Sequence, residues 1–274
     1  MNYTNIFSDS DICFTSKKEI NPDDIIYNFH IHSDYELYCF VSGNVDYIVE
    51  GTAYHMQPGG VLLLRPGEIH KVRILSDAPY ERYVIYFNRS TIESVDPKCA
   101  LLKPYDERQI GTANYYPPEV FTGIKPIDII SEIDNSAPGS YDIFRARIIS
   151  HLLAVLGKIY VVFFAKDKAE INETSIDSML NYIDSHLGAE KLNSTLLSKK
   201  FYMSETELNR AFKRATGLPV GKYINIKRLI LARDLLKKGM PANEVSLRCG
   251  FNDYSTFFRA YKKQFGANPK VHMS

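Results

Sequence analysis

The chain has 274 residues, 45% apolar and 24% charged, an ordinary globular composition that excludes collagen-like, low-complexity and wholly disordered chains. At roughly 100–200 residues per domain, that length suggests about two domains. The formal net charge of +1 conceals an uneven spread, with −8 on residues 1–175 and +9 on the 99 that follow. A compact segment so basic is what a phosphate-docking surface requires, because each Lys or Arg near a nucleic-acid backbone releases condensed counterions. An acidic protein or an anionic membrane surface would fit the charge alone equally well. Cys13, Cys39, Cys99 and Cys249 show no paired spacing and read as free thiols of a reducing compartment. The N-terminal residues show no basic region leading into an apolar stretch. The longest unbroken apolar run, residues 159–165, is far short of the ~20 a membrane span needs. A cytoplasmic protein without membrane contact is therefore expected.

From about residue 25 to 88 short apolar runs alternate with period two. Turn signals separate them at Ser42-Gly43-Asn44, Glu50-Gly51-Thr52, Gln57-Pro58-Gly59-Gly60 and Arg65-Pro66-Gly67-Glu68. That rhythm predicts an antiparallel β-barrel or sandwich, and residues 88–121 read as loops with a final strand. On an extended chain residues 30, 32, 36, 38 and 40 share one face, so His30, His32, Glu36, Tyr38 and Phe40 are expected to point into the barrel. The pattern His-x-His-x3-Glu-x6-Gly, followed by Gly60-x5-Pro66-Gly67-x2-His70, resembles both cupin motifs. In metal-dependent cupin enzymes the three His and the Glu hold iron or manganese, a plausible donor set. Ile74 stands where the second motif has Asn, and a polar ligand pocket without metal or other cofactor is the reading adopted here. Fourteen of the 19 Tyr precede Ser175, favouring aromatic walls with hydroxyl tips, although the strand preference of Tyr accounts for much of that. Candidate ligand contacts are His30, His32, Glu36, Tyr38, Tyr47, Arg65, His70 and Tyr86.

Beyond Gly123 the period becomes helical. Ile148, Leu152, Val155, Ile159 and Val162 follow coiled-coil spacing, and Leu153, Leu156, Tyr160 and Phe163 form an adjoining stripe. Both stripes could bury against the β-domain; the preferred expectation is that one does and the other makes a homodimer through residues 143–163. Residues 166–175 read as a polar linker.

The basic segment contains an internal repeat. Arg210-Ala211-Phe212-Lys213-Arg214-Ala215-Thr216-Gly217 recurs 49 residues later as Arg259-Ala260-Tyr261-Lys262-Lys263-Gln264-Phe265-Gly266. Each copy reads as helix, turn, helix. Ser204-Glu205-Thr206-Glu207 is a capping box for the second helix of the first copy. Asp253, after Gly250-Phe251-Asn252, takes the cap position in the other. Leu208, Ala211 and Phe212, and likewise Phe257, Phe258 and Tyr261, anchor one face and leave a polar, basic face outward, as a helix in a major groove requires. Between the copies, Pro219 opens a helix over residues 220–238 with Tyr223, Ile224, Leu229, Ala232, Leu235 and Leu236 apolar. Its length of about 28 Å suits two reading helices about one turn of B-DNA apart.

These residues resemble the AraC/XylS transcriptional regulators over about 176–269, most specifically from Gly250 to Pro269 and at Lys227-Arg228-Leu229. Ser198 and Ser246 stand where the family has a packing Ala. The resemblance implies base-edge contacts from Glu205, Thr206, Asn209 and Arg210 in the first copy and from Tyr254, Ser255 and Arg259 in the second. By their chemistry, Arg210 and Arg259 suit guanine and Asn209 adenine. Lys199, Lys213, Arg214, Lys262 and Lys263 suit phosphates.

The expected fold class is α+β: a cupin-like antiparallel β-barrel with following helices (1–165), a linker (166–175), and an all-α domain of two helix-turn-helix motifs (176–274). The expected function is a non-enzymatic, sequence-specific regulator, an activator by family habit, acting on double-stranded DNA. The resemblance makes a sugar or related metabolite the expected effector. The alternative is a metal-dependent cupin enzyme fused to a DNA-binding module.

Overall fold

A computed structural model describes residues 3–20, 29–134, 140–165, 175–189 and 191–269. By contact the chain divides into two units, residues 1–30 with 34–171 and residues 31–33 with 172–274. Of the predicted linker, residues 166–174 lie outside the described residues, and Ser175 opens a helix.

Among the described residues of the first unit, nine strands run β1 Tyr3–Ser8, β2 Ile12–Glu19, β3 Tyr35–Ser42, β4 Val45–Val49, β5 Thr52–His55, β6 Val61–Leu64, β7 His70–Ile74, β8 Tyr80–Phe87 and β9 Tyr115–Tyr116. They form a six-stranded sheet in the order β1-β2-β8-β3-β6-β9 and a three-stranded sheet in the order β5-β4-β7. Every pairing is antiparallel. Side chains alternate between the faces of a strand, and both faces of the large sheet are buried. Tyr38, Phe40, Leu62, Leu64, Tyr80 and Val84 pack with Val45, Tyr47, Val49 and Val72 of the small sheet. Leu37, Cys39, Val61, Leu63, Tyr83 and Ile85 pack with a long helix on the other side. This double burial is why β3 and β6 read as nearly unbroken apolar runs. β1 and β2 lie upstream of residue 25, where the predicted strands begin. Beyond Phe14, β2 carries Ser16, Lys17 and Lys18, so the apolar alternation fades, yet the strand pairs with β8 along its whole length.

The strands are followed or interrupted by the helices α1 Arg89–Glu93, α2 Lys103–Asp106, α3 Pro126–Asp134 and α4 Tyr141–Ala165. On α4 the seam residues Ile148, Leu152, Val155 and Ile159 are fully buried with Leu156, and Leu153 and Val162 are half-buried. Val161 and Phe164 remain 67% and 52% exposed. Whole-helix length and hydropathy would suffice for a membrane span, a property that counting unbroken apolar runs did not reveal. Part of that apolarity is the seam Ile148, Leu152, Val155, Leu156 and Ile159, buried in the β-domain core.

The second unit is helical: α5 Ser175–Ser185, α6 Ser194–Lys200, α7 Glu205–Thr216, α8 Val220–Lys237, α9 Ala242–Arg248 and α10 Tyr254–Phe265. Pro219 is the N-cap of α8 rather than its first helical residue. Leu197, Leu208, Phe212 and Tyr223 are fully buried, the last two meeting edge-on at 5.0 Å. Leu229, Ala232 and Leu236 of α8 pack with Val245, Phe257 and Tyr261, so one helix serves the cores of both copies. Buried Ser198 and Ser246 donate to the carbonyls of Thr195 and Asn243, three residues back, so neither hydroxyl is wasted in the core.

Candidate nucleic-acid interface and effector site

The second helix of each copy is fixed at its start and along one face. Ser204 Oγ accepts from the Glu207 amide at 3.2 Å, while the Ser204 amide donates to Glu207 Oε2 at 3.0 Å. Bonds from the Ser204 hydroxyl and amide hold the Glu207 carboxyl below its ordinary range. On α10 the Asp253 carboxylate accepts from the Thr256 amide at 2.7 Å and its hydroxyl at 2.8 Å, which depresses its pKa in turn. Leu208 and Phe212 anchor α7, and Phe257 and Tyr261 anchor α10, all fully buried.

The outward face of α7 exposes Thr206, Arg210, Lys213 and Arg214; that of α10 exposes Ser255, Arg259, Lys262 and Lys263. Lys199 is exposed near the end of α6. Such cations suit phosphates, and a guanidinium also matches the edge of guanine.

Three of the expected base contacts are partly committed within the domain. Glu205 accepts from the hydroxyls of Ser194 and Thr195 at 2.8 and 2.7 Å, tying the starts of α6 and α7 together. Asn209 donates to the Glu205 carbonyl at 2.9 Å and accepts from the Val220 amide at 3.2 Å, capping α8. The Tyr254 ring, half-buried, packs near Phe257 and Phe258.

In the β-unit the expectation that one strand carries residues 30, 32 and 36 fails, because β3 begins only at Tyr35. His30 is exposed and forms an isolated backbone bridge to His70, with bonds of 3.0 and 3.1 Å and the two rings 4.1 Å apart. His32 is half-buried within residues 31–33, which group with the helical unit. Glu36 and Tyr38 remain on one face of β3, both buried. Strand pairing brings other candidates to them. Tyr86 lies opposite Glu36 in register, and the Glu36 charge, with burial, raises its pKa. From the small sheet, Tyr47 donates to Glu36 Oε1 at 3.4 Å, and His70 Nε2 faces Glu36 Oε2 at 3.5 Å. His70 Nδ1 lies 2.8 Å from the Glu68 carbonyl, which places the ring proton there and orients Nε2 towards Glu36.

Arg65 joins a separate cluster. It donates to the Arg108 carbonyl at 3.3 Å and lies 3.8 Å from Glu68. Arg108 grips both Glu68 oxygens at 2.6 Å in full burial. Burial alone would raise the Glu68 carboxyl, but Arg108 outweighs it and holds the pKa at about 2. Arg82, Tyr80 and Glu19 were missed. Arg82 binds both Glu19 oxygens at 2.8 and 3.1 Å and lies 4.2 Å over the Tyr80 ring; the Tyr80 and Tyr38 hydroxyls meet at 2.7 Å. Counting by twos back from Tyr86 along β8 would have put Tyr80 and Arg82 on the same face. This buried cluster combines tyrosine hydroxyls with the Glu36 carboxylate and the His70 imidazole, groups suited to hydrogen-bonding a small polar molecule.

Among known families, an AraC-like ligand-binding domain matches residues 18–104 and a helix-turn-helix domain matches residues 197–273. The probable transcriptional regulator LumQ of Photobacterium leiognathi is 31% identical over 130 residues, 47% of this chain and 51% of that protein. The transcriptional activator RhaS of Citrobacter koseri is 29% identical over 127 residues, 46% of this chain and 44% of its own. The matched stretch therefore spans about half the length of these curated relatives. ToxT from Vibrio cholerae O395 aligns over 97% of this chain and 98% of its own, at 15% identity and a TM-score of 0.39.

Proposed function

Since this chain belongs to the AraC/XylS family of transcriptional regulators, with a ligand-binding domain and a helix-turn-helix DNA-binding domain, we propose that it is an effector-modulated regulator reading duplex DNA through both α7 and α10. The supporting observation is the paired construction: each helix is capped, buried along one face and basic on the other. Contacts are assigned to Thr206, Arg210, Lys213, Ser255, Arg259 and Lys262 on the exposed faces, with Glu205, Asn209 and Tyr254 taking part only after exchanging their present partners. Arg259→Ala is expected to cost about 1–3 kcal/mol on a duplex selected from a random pool by the wild-type protein, and to relax one base preference. An equal loss on unselected DNA at the same salt would reassign Arg259 to phosphate contact.

We infer a sugar or related hydroxylated metabolite as the effector, held by Tyr38, Tyr47, Tyr86, Glu36 and His70, with His30, His32 and Arg65 in supporting parts. Such a ligand alters DNA binding only if it favours the DNA-competent arrangement over the incompetent one. Thermal shifts against a panel of sugars, followed by DNA binding with each hit, test this; stabilisation without any change in DNA affinity would remove the regulatory role.

We further propose a cytoplasmic homodimer with domains at 1–165 and 175–274 joined by residues 166–174. The outward face of α4 supports the dimer: beside it runs a groove of about 700 Å³ lined by Val120, Ala154, Gly157, Val161 and Val162 among others. Phe164→Glu with Val161→Glu should shift the sedimentation coefficient to that of a monomer.

A second reading puts a metal ion in the β-unit, favoured by Glu36 and His70 offering ligand atoms within 4.8 Å of each other. Stoichiometric metal in the purified protein, lost in His70→Ala, would support a cupin-type enzyme; protein purified free of metal and still regulated by a metabolite would remove it.

A further inference from the structure

The two helix-turn-helix copies share α8, and a second connection reinforces that helix from the side. Arg228, midway along α8, donates from Nε to the Leu187 carbonyl at 2.9 Å and from Nη2 to the Ala189 carbonyl at 2.6 Å. These carbonyls belong to the loop between α5 and α6, in the first copy's half of the domain. The same guanidinium lies over Gly250, in the turn of the second copy: a Cβ there would stand 2.8 Å from Nη2 and 3.0 Å from Cζ. The loop also meets the second copy directly, since a Cβ on Gly188 would fall 2.6 Å from the Arg248 carbonyl. Nearby, Lys227 pairs with Asp184 of α5 at 3.1 Å. One side chain thus joins the loop before α6, the middle of α8 and the turn before α10.

An arginine suits this position because its planar fork supplies several donors in fixed directions, and its flat face can lie on a glycine. A lysine offers a rotating point charge and no such plane. A joint made by α8 alone could twist at its packed ends, whereas a brace from the side holds the second copy against the first.

We propose that Arg228 is a positioning residue that sets α10 relative to α7, so that the protein reads two DNA elements at one fixed spacing. This rests on the DNA-reading function proposed above. Rigid linkage makes the second contact intramolecular, and its advantage depends on the geometry being held.

The test uses the full chain and a duplex selected by the wild-type protein from a random pool. Companion duplexes carry one scrambled element, or one base pair added or removed between the two elements. Wild type should lose about tenfold or more on a one-base-pair change in spacing. Arg228→Lys and Arg228→Ala should bind single-element duplexes like wild type, lose about tenfold on the selected duplex, and discriminate spacing by less than about threefold. Gly188→Ala, which pushes the loop off Arg248 and leaves the arginine in place, should relax spacing in the same direction and keeps the test open if an Arg228 variant melts early. Equal weakening on all duplexes with the spacing profile intact would overturn the proposal and leave Arg228 a folding residue. Failure of wild type to enrich any sequence would instead overturn the DNA-reading function itself.

Discussion

At the turn between its helices the first copy carries Tyr202 and the second Gly250, both with left-handed backbone, at φ +54° and +76°. Tyr202 is 97% exposed, whereas Gly250 is covered by Arg228. The repeated turn imposes the same dihedral twice, but only where a neighbour lies across the position does it also exclude a side chain. The caps differ similarly. The first copy uses two carboxylates, with Glu205 tied to α6 and Glu207 completing the capping box, and the second uses Asp253 alone. Two copies of one motif thus share a backbone plan and a buried face while diverging wherever their surroundings differ.

The largest expected effect tests what the copies share. Phe212→Ala and Phe257→Ala each remove a fully buried ring and should each cost about 3–5 kcal/mol in urea unfolding; a much smaller loss at one site would break the equivalence of the two cores. Next comes the turn. Gly250→Ala meets both a left-handed strain and the Arg228 guanidinium, and should cost about 2–4 kcal/mol. Ser204→Ala, by removing one cap, should cost about 1 kcal/mol, seen as faster amide exchange in the first turn of α7.

Acidification should separate the copies as well. Glu205, Glu207 and Asp253 all titrate below their ordinary values. Their stabilisation is fully present above the ordinary carboxylate range and is lost as pH falls through the depressed values. Two such groups serve α7 and one serves α10, so hydrogen exchange at decreasing pH should show α7 losing protection more steeply. The smallest effect is Tyr202→Gly, expected to raise stability by less than about 1 kcal/mol, because relief of the left-handed strain is offset by the entropy of glycine in the unfolded chain.

The legibility of each part followed the range of the interactions that make it. Ser204 with Glu207, and Asp253 with Thr256, are bonds across three residues, and both caps were readable as strings of letters. The repeat located α7 and α10 for the same reason. In the β-unit, period-two alternation placed Glu36 and Tyr38 on one face, yet it extended the strand back to His30, where the chain instead bridges to His70. Arg82 escaped notice because an arginine inside a strand looks solvent-facing until Glu19 is found 63 residues away.

Composition and local pattern by themselves determined the two kinds of module, the acidic and basic halves, the duplicated motif and the helix between its copies. These depend on contacts within a few residues, where spacing along the chain is spacing in space. Tertiary structure alone decided that Glu36 faces Tyr47 and His70 across two sheets, that Arg65 serves Glu68 instead, and that Arg228 spans the two copies. Those choices depend on sheet register and on loops returning from 39 to 41 residues away, distances over which the order of residues carries no geometric information until the chain has closed.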